Sequence, residues 1–192
     1  MRRKVPSMVN EEFVLLRDCP ATLIPAGDAV VLRAGATVTV SQALGGTLTV
    51  RDALGLYRIG GKDLEALGPR AREWAEGEAG KIAAGDTGEF SEEKVWDTLR
   101  LCFDPEIPIN IVDLGLIYDL QIAAGDHGGR KIQVKMTLTA AGCGMGPVIA
   151  DDARARLVTL PGVEDAKVEI VWEPPWTPHM ISPTGREKLG LE

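Results

Sequence analysis

The chain has 192 residues, of which 45% are hydrophobic and 26% charged, so it can form one well-packed globular domain or two small ones. A formal net charge of −7 argues against nucleic acid as the main partner, because a phosphate backbone is bound by a basic surface. No apolar run approaches the roughly 20 residues of a membrane helix, and Asn10, Glu11 and Glu12 interrupt any signal sequence after the basic N-terminus. We expect a cytoplasmic protein that binds neither nucleic acid nor membranes.

Residues 13–60 predict a small all-β domain, either a barrel or a sandwich. Apolar or alternating segments are separated there by turn residues such as Gly45 and Gly46. The predicted strands are Phe13–Arg17, Ala29–Arg33, Thr37–Val40, Thr47–Arg51 and Leu56–Ile59. From Lys62 to Ala84 the composition favours helix, with a break at Pro69.

From Ser91 onward the pattern predicts the order helix, strand, strand, helix, strand. Ser91 is a good N-cap, and apolar residues at helical spacing run from Val95 to Phe103. This helix should stop at Asp104, because the residue before a proline disfavours helical geometry. The remaining elements are strands at Leu116–Ala123 and Ile132–Thr139, a helix from Pro147, and a strand through Val168, Ile170 and Trp172.

These elements define an α+β protein. We predict a small N-terminal all-β domain and a C-terminal α-β-β-α-β domain whose helices pack on a three-stranded sheet. The predicted boundaries are a β-rich domain with a trailing helix at 1–76, a linker at 77–90, the α-β-β-α-β domain at 91–173, and a Pro/Trp-rich tail at 174–192.

Cys143 is the main candidate for a reactive side chain. It lies in the glycine-rich run of residues 142–146, which leaves the thiol little steric cover, and the second helix begins directly afterwards. A helix N-terminus stabilises a thiolate through its dipole and free N–H groups, although Asp151 and Asp152 in the first turn oppose this effect. The alternative is a small buried hydrophobe, but the strand-to-helix setting favours the reactive thiol.

The other two cysteines do not extend this site. Cys102 lies on the apolar face of the first predicted helix and should belong to the core, and Cys19 is interpreted as structural. Without a CxxC pair the chain lacks the zinc-ribbon and thioredoxin signatures. Three cysteines without an export signal indicate reduced thiols.

Residues 104–116 form a second candidate segment, with carboxylates at Asp104, Glu106 and Asp113. Paired carboxylates can act as general acid and base, or as hard ligands for iron. Alternatively, Asp104 and Asp113 cap the loop by accepting hydrogen bonds from backbone N–H groups, and the residues alone favour this interpretation.

The histidines and the tail are less specific. Neither His127 nor His179 has a second histidine or a carboxylate at ligand spacing, so both are predicted to be surface residues. The tail should be extended and semi-rigid. It either folds back over the domain or presents Trp176, Met180 and Ile181 to a partner, and the sequence leaves both alternatives open.

Three motifs follow one another in the second half: DPEIPINIVDLGLIY, TLTAAGCGMG and GVEDAKVEIVWEPPWTP. Together they resemble the small domain shared by metal–sulfur cluster assembly factors. This family includes the eukaryotic cytosolic iron–sulfur targeting proteins and the bacterial phenylacetate-oxygenase maturation protein. The N-terminal β half and the WTPHMI run of the tail most resemble the family's SUF-system members.

The resemblance implies an auxiliary, non-catalytic role in maturing iron–sulfur proteins, with the assembly machinery and client apoproteins as partners. It maps the family's reactive cysteine onto Cys143, as a metal ligand, and its Asp-Pro-Glu motif onto residues 104–106. The motif residues assigned to the site are Asp104, Pro105, Glu106, Asp113, Thr137, Thr139, Gly142, Gly144 and Met145. Many relatives have proline where Gly144 stands.

The ligand count leaves the mode of action open. An iron–sulfur cluster is usually held by four thiolates, whereas one such cysteine per chain gives two in a homodimer. Other ligands would come from carboxylates, small thiols or a client protein, which suits a transiently bound cluster and equally an adaptor that binds none. Two other classes remain: a thiol enzyme with Cys143 as nucleophile, which needs a neighbouring base, and an interaction module in which Cys143 only packs.

Overall fold

The structure, a computed structural model, describes residues 8–83 and 88–191. The chain divides into two compact units, Met1–Gly85 and Asp86–Glu192. Within the described residues nine strands form two separate sheets, and helices accompany both, which confirms the predicted α+β class. None of the helices in these two ranges is long and apolar enough to cross a membrane.

The N-terminal unit is built on a six-stranded antiparallel sheet in the order β1-β4-β5-β6-β2-β3. The Gly45-Gly46 hairpin between β4 and β5 has both glycines at positive φ, the geometry that favours glycine in two-residue hairpins. The strands are β1 (Glu12–Val14), β2 (Cys19–Ile24), β3 (Ala29–Leu32), β4 (Thr37–Leu44), β5 (Thr47–Arg51) and β6 (Leu56–Ile59).

The sequence pattern did not predict β2, because Pro20 within it argues against a strand. Only Thr22–Ile24 of β2 pair with β6, whereas Pro20 pairs on the β3 side, opposite Val31. Pro20 therefore lies outside the doubly paired part of the strand, where a missing N–H group is tolerated.

A 3₁₀ helix (Gly61–Leu67) and α1 (Pro69–Ala83) follow, which confirms the predicted break at Pro69. As the first residue of α1, Pro69 loses no intrahelical hydrogen bond. The helix continues into the stretch predicted as a linker at 77–90, and residues 84–87 of that stretch lie outside the described residues. The domain boundaries stay a prediction.

The C-terminal unit follows the predicted order and adds a short 3₁₀ helix and a third α-helix after the last strand. Its sheet has the order β7-β8-β9, with β8 antiparallel to β7 and parallel to β9. Helix α3 packs on β9, and α2 packs on α3. The elements are α2 (Glu92–Leu99), β7 (Ile117–Ala124), β8 (Arg130–Met136), α3 (Gly146–Leu157), β9 (Val163–Ile170), a short 3₁₀ helix (Pro178–Met180) and α4 (Pro183–Leu189).

Two predictions for this unit are wrong. Helix α2 ends at Leu99 and not at Asp104, because the chain tightens into turns at 100–102, and Phe103 then pairs with Asn110 in an extended bridge. The tail is not simply extended, since it contains the second 3₁₀ helix and α4. Cys102 is nevertheless buried, as predicted.

Candidate functional site

Three segments that carry the predicted site residues meet at one end of the three-stranded sheet. Ile117, the first residue of β7, lies opposite Met136, the last residue of β8, and Met136 pairs with Ile170, the last residue of β9. We call this end of the sheet the site end. The segments that begin or end there are the acidic loop (residues 100–116), the cysteine loop (residues 137–145) and the C-terminal segment (residues 171–191).

Backbone hydrogen bonds join the bases of these segments. Thr137 N donates to Leu116 O at 2.8 Å, which links the cysteine loop to the acidic loop. Val171 N donates to Met136 O at 2.8 Å, which links the C-terminal segment to the end of β8. The three segments therefore share one rigid base, the end of the sheet.

Asp104 organises the first part of the acidic loop. Its side chain is buried, with the residue 8% exposed, and Oδ1 accepts hydrogen bonds from the N–H groups of Glu106 and Ile107, both at 2.8 Å. This is the capping arrangement that the residues alone favour. Pro105 is also buried, whereas Glu106 is exposed. The Asp104 side chain therefore fixes the shape of the loop by binding the backbone N–H groups of the residues that follow it.

Asp113 joins the acidic loop to the C-terminal segment. Its side chain is 14% exposed and accepts hydrogen bonds from Asn110 Nδ2 at 2.8 Å, Ser182 Oγ at 3.1 Å and Lys188 Nζ at 3.2 Å. Burial alone would raise the pKa of Asp113, but these hydrogen bonds and the charge of Lys188 lower it below its ordinary value. Asp113 is thus an ionised anchor at neutral pH.

The C-terminal segment folds back across the site end. It starts at β9, one edge of the sheet, yet the Tyr118 hydroxyl donates to Pro174 O at 2.8 Å and Trp176 Nε1 donates to Leu114 O at 2.8 Å. Tyr118 lies on β7, the opposite edge, and Leu114 lies just before it. Between the two edges lies the end of β8, where the cysteine loop begins.

Two glycines permit the close approach of the C-terminal segment to the acidic loop. Gly115 has a φ of +70°, and Met180 O occupies the place where a Cβ would lie. A Cβ at Gly185 would lie 2.8 Å from Asp113 O. Only glycine fits at such positions without displacing the neighbouring backbone.

Trp176 and Met180, predicted as partner-binding residues, are both half-buried and in contact with their own chain. Trp176 donates to the acidic loop, and Met180 Sδ lies 3.5 Å from the Tyr118 hydroxyl. Of the two alternatives for the tail, the C-terminal segment therefore adopts the folded-back arrangement. A partner-binding role for these two side chains stays a prediction.

Cys143 is half-buried, whereas Cys19 and Cys102 are buried, with exposures of 0% and 1%. Its N–H donates to Ala140 O at 3.3 Å and its carbonyl accepts from Gly146 N at 3.2 Å, so it lies between two turns just before α3. Burial also raises the pKa of Cys19 to about 11. Cys143 is therefore the most accessible thiol of the chain.

The residues around Cys143 divide into packed and open positions. Thr137 and Met145 are buried, Thr139 and Gly144 are half-buried, and Gly142 has a φ of +80° with no atom within 4 Å of its Cβ position. The predicted strand Ile132–Thr139 would place Thr137 on the same face as the exposed Gln133 and Lys135, and this is wrong, because β8 ends at Met136 and Thr137 is buried.

Several candidate groups are not brought together. Within residues 8–83 and 88–191, no three His, Cys, Asp or Glu side chains are grouped as a metal site. His127 lies in the turn between β7 and β8, at the opposite end of the sheet and about 20 Å from the site end by the rise of β8. His179 lies on the C-terminal segment and is exposed. Asp104 accepts hydrogen bonds from the N–H groups of Glu106 and Ile107, and Asp113 from Asn110, Ser182 and Lys188, so the hydrogen bonds described for both carboxylates are structural.

The sequence pattern did not predict Asn110, Ser182 and Lys188, the side-chain partners of Asp113. A local signal exists for α4, since Ser182-Pro183 with Gly190 after it is a typical start and stop of a short helix. No signal connects α4 with Asp113, because Ser182 and Lys188 follow it by 69 and 75 residues.

Comparison with known proteins finds relatives of the second half of the chain. A family model described as iron–sulfur cluster assembly protein matches residues 92–170. The chain is 38% identical over 104 residues to the Fe-S protein maturation auxiliary factor YitW of Bacillus subtilis, covering 54% of this chain and 98% of that protein. It is 43% identical over 91 residues to the Fe-S protein maturation auxiliary factor SufT of Staphylococcus aureus, covering 47% and 99%.

A third relative is a longer protein. The iron-sulfur cluster carrier protein of Synechocystis sp. is 32% identical over 101 residues, which are 53% of this chain and 26% of that protein. Each of the three alignments covers about half of this chain. The resemblance of the N-terminal β half to SUF-system members therefore stays a prediction.

Proposed function

The chain belongs to the iron–sulfur cluster assembly protein family, and from this premise we propose that it is an auxiliary factor in iron–sulfur protein maturation that acts through Cys143. The proposed partners are the assembly machinery and client apoproteins in the cytoplasm. The names of the relatives, two maturation auxiliary factors and one cluster carrier, support this class of function.

The observation that carries the proposal is the difference in accessibility among the three thiols. Cys143 is half-buried at the site end, and Cys19 and Cys102 are enclosed in the cores of their units. A thiolate is a soft ligand suited to iron–sulfur clusters. The start of α3 lies three residues further on and favours negative charge in its vicinity. Cys143 is thus the thiol that a cluster or a partner protein reaches first.

One thiolate does not suit a resident cluster, which usually takes four. The described residues offer no group of carboxylates and histidines that would complete the set. We therefore propose two forms of the function: transient carriage, in which a second copy, a small thiol or the client supplies the other ligands, or an adaptor that brings client and carrier together without binding the cluster. Weak ligation would favour release to a client in the first form.

We further propose that the protein does not turn over a small substrate. A nucleophilic thiol needs a general base within hydrogen-bond reach. His127 lies at the opposite end of the sheet, and among the described residues neither histidine ring is hydrogen-bonded to Cys143. This arrangement supports a binding role for Cys143 over a catalytic one.

Anaerobic cluster reconstitution tests the proposal on three proteins: the wild type, Cys143→Ser, and Cys102→Ala as a control that removes a buried thiol. Visible spectra and iron and sulfide analysis report the bound cluster. A labile cluster in the wild type and in Cys102→Ala, but not in Cys143→Ser, would support carriage. No cluster in any of them would overturn carriage and leave the adaptor form, and an equal cluster in Cys143→Ser would contradict the role of Cys143.

A further inference from the structure

Helix α3 begins at Gly146, a buried glycine three residues after Cys143. We propose that Gly146 is a positioning residue for Cys143. Its lack of a side chain lets α3 start directly against Leu138 and Ile170, and this close contact holds the turn that contains the thiol. The inference rests on the proposed function and adds to it the residue that fixes where a cluster or a partner meets Cys143.

The first step concerns the space around Gly146. A Cβ atom there would lie 2.6 Å from Leu138 Cδ1 and 3.0 Å from Ile170 Cδ1, whereas non-bonded carbon atoms are best separated by about 3.5–4.0 Å. Gly146 does not have a positive φ. Close packing, and not the conformation of the backbone, therefore requires glycine at this position.

The second step concerns the two neighbours. Leu138 belongs to the cysteine loop and is the closer of the two, and it is buried, with 5% exposure. Its Cδ1 atom can therefore move only into an interior that is already packed. Ile170, the last residue of β9, is half-buried and gives the milder overlap. Leu138 is thus the main restriction on a side chain at position 146.

The third step concerns which part of the structure would move. Strand β8, which leads to Leu138, is paired on both sides, with β7 and with β9. The turns on either side of Cys143 are closed by longer bonds, from Cys143 N to Ala140 O at 3.3 Å and from Gly146 N to Cys143 O at 3.2 Å, compared with the usual length of about 2.9 Å. A side chain at position 146 would therefore displace the start of α3 and loosen the turn of Cys143.

The contact at Gly146 matters for binding because it limits the positions that the thiol can take. Gly142, on the other side of Cys143, has no atom within 4 Å of its Cβ position. The loop is therefore open before Cys143 and packed after it. A ligand held in one position loses less conformational entropy when it binds than one on a mobile loop.

The test measures the rate at which iodoacetamide alkylates Cys143 in the full chain, with the modified residue identified by peptide mass spectrometry. Urea unfolding gives the stability of each variant. The variants are Gly146→Ala and the double variant Gly146→Ala/Leu138→Val, which removes the Cδ1 atom nearest to the new methyl group. The control is Gly128→Ala in the turn between β7 and β8, where φ is +87° and nothing lies within 4 Å of the Cβ position.

We expect Gly146→Ala to raise the alkylation rate about fivefold, as the loss of one hydrogen bond of about 1 kcal/mol predicts. One added methyl group costs less than the stability of a domain of this size, so this variant should remain folded. The double variant should return to the wild-type rate. Gly128→Ala should lower the stability of the C-terminal unit through its backbone conformation and leave the rate unchanged.

An unchanged or lower rate in Gly146→Ala would overturn the inference. A double variant as fast as Gly146→Ala would do the same, because the effect would then not come from the overlap with Leu138. An equal rise in Gly128→Ala would also overturn it, since lost stability alone would then explain the rate. The readout needs no cluster, so a negative reconstitution experiment leaves this test intact.

Discussion

Replacing Gly115 by alanine tests the contact between the acidic loop and the C-terminal segment most severely. The new Cβ would overlap Met180 O, and the φ of +70° is one that an L residue adopts at a cost of about 1 kcal/mol. The overlap is with backbone, so a rotamer change cannot relieve it and the segment must move. Gly162→Ala is the matched control, because its φ is +74° and nothing lies within 4 Å of its Cβ position.

The expected loss in the free energy of opening of the C-terminal segment follows from the contacts that the segment would lose. They are the hydrogen bonds from Trp176 Nε1 and Ser182 N, each worth about 1 kcal/mol, and part of the burial of Ile181, worth about 1 kcal/mol more. Gly162→Ala should leave the free energy of opening of the segment near the wild-type value, because Gly162 lies in the turn between α3 and β9 and its conformational cost does not fall on the segment. Gly115→Ala should lower it by about 3 kcal/mol, the sum of the contacts that the segment would lose.

Native-state hydrogen exchange measures this free energy for residues 171–191 and, as an internal reference, for β8. We expect Gly115→Ala to lose protection in the C-terminal segment while β8 stays protected. Equal effects of the two alanine substitutions on the segment would refute the reasoning, because they would show that Met180 O does not restrict position 115.

Three further predictions follow from the same contacts. Asp104→Ala leaves the N–H groups of Glu106 and Ile107 without their acceptor and should destabilise the C-terminal unit by about 2 kcal/mol in urea unfolding. Glu106→Ala, at an exposed position, should change the stability little. Equal losses of stability for the two variants would contradict the capping role of Asp104. Native protein treated briefly with iodoacetamide should carry one modification, at Cys143, and denatured protein should carry three, since Cys19 and Cys102 are buried. Prompt labelling of Cys19 in native protein would contradict its burial in the N-terminal unit. Because folding lowers the pKa of Asp113 from 3.8, the ionised carboxylate contributes its full stabilisation above that value and loses it as the pH falls through the lower, folded-state pKa. The stability difference between wild type and Asp113→Asn should therefore shrink below about pH 4. A difference that is constant from pH 7 to pH 2 would disprove the role of Asp113 as an ionised anchor.

Elements with a periodic apolar pattern could be predicted from the sequence. The strand predicted at Ile132–Thr139 overlaps most of β8 (Arg130–Met136). Ser91 predicted the start of α2, where its side chain accepts a hydrogen bond from Lys94 N. The end of α2 could not be predicted, because the Phe103–Asn110 bridge that takes up the chain there is a contact outside the helix. Periodicity specifies the packed face of an element, and tertiary contacts decide where the element ends.

The site could be predicted only where it is local in the chain. Asp104 caps residues two and three positions further on, so its role follows from the spacing. The partners of Asp113 lie on α4, a helix without an apolar stripe, and they reach Asp113 only because β8 and β9 are parallel and deliver the C-terminal segment to the site end. That arrangement depends on the topology of the sheet, which single residues do not specify.

The role of Cys143 in maturation is tested most directly in a bacterial strain that lacks its own member of this family and expresses wild type, Cys143→Ser or Cys102→Ala. The measurement is the specific activity of an iron–sulfur-dependent dehydratase in anaerobic extracts, normalised to the amount of each variant. We expect wild type and Cys102→Ala to restore the activity and Cys143→Ser to fail at equal protein level. Full restoration by Cys143→Ser would contradict the central claim.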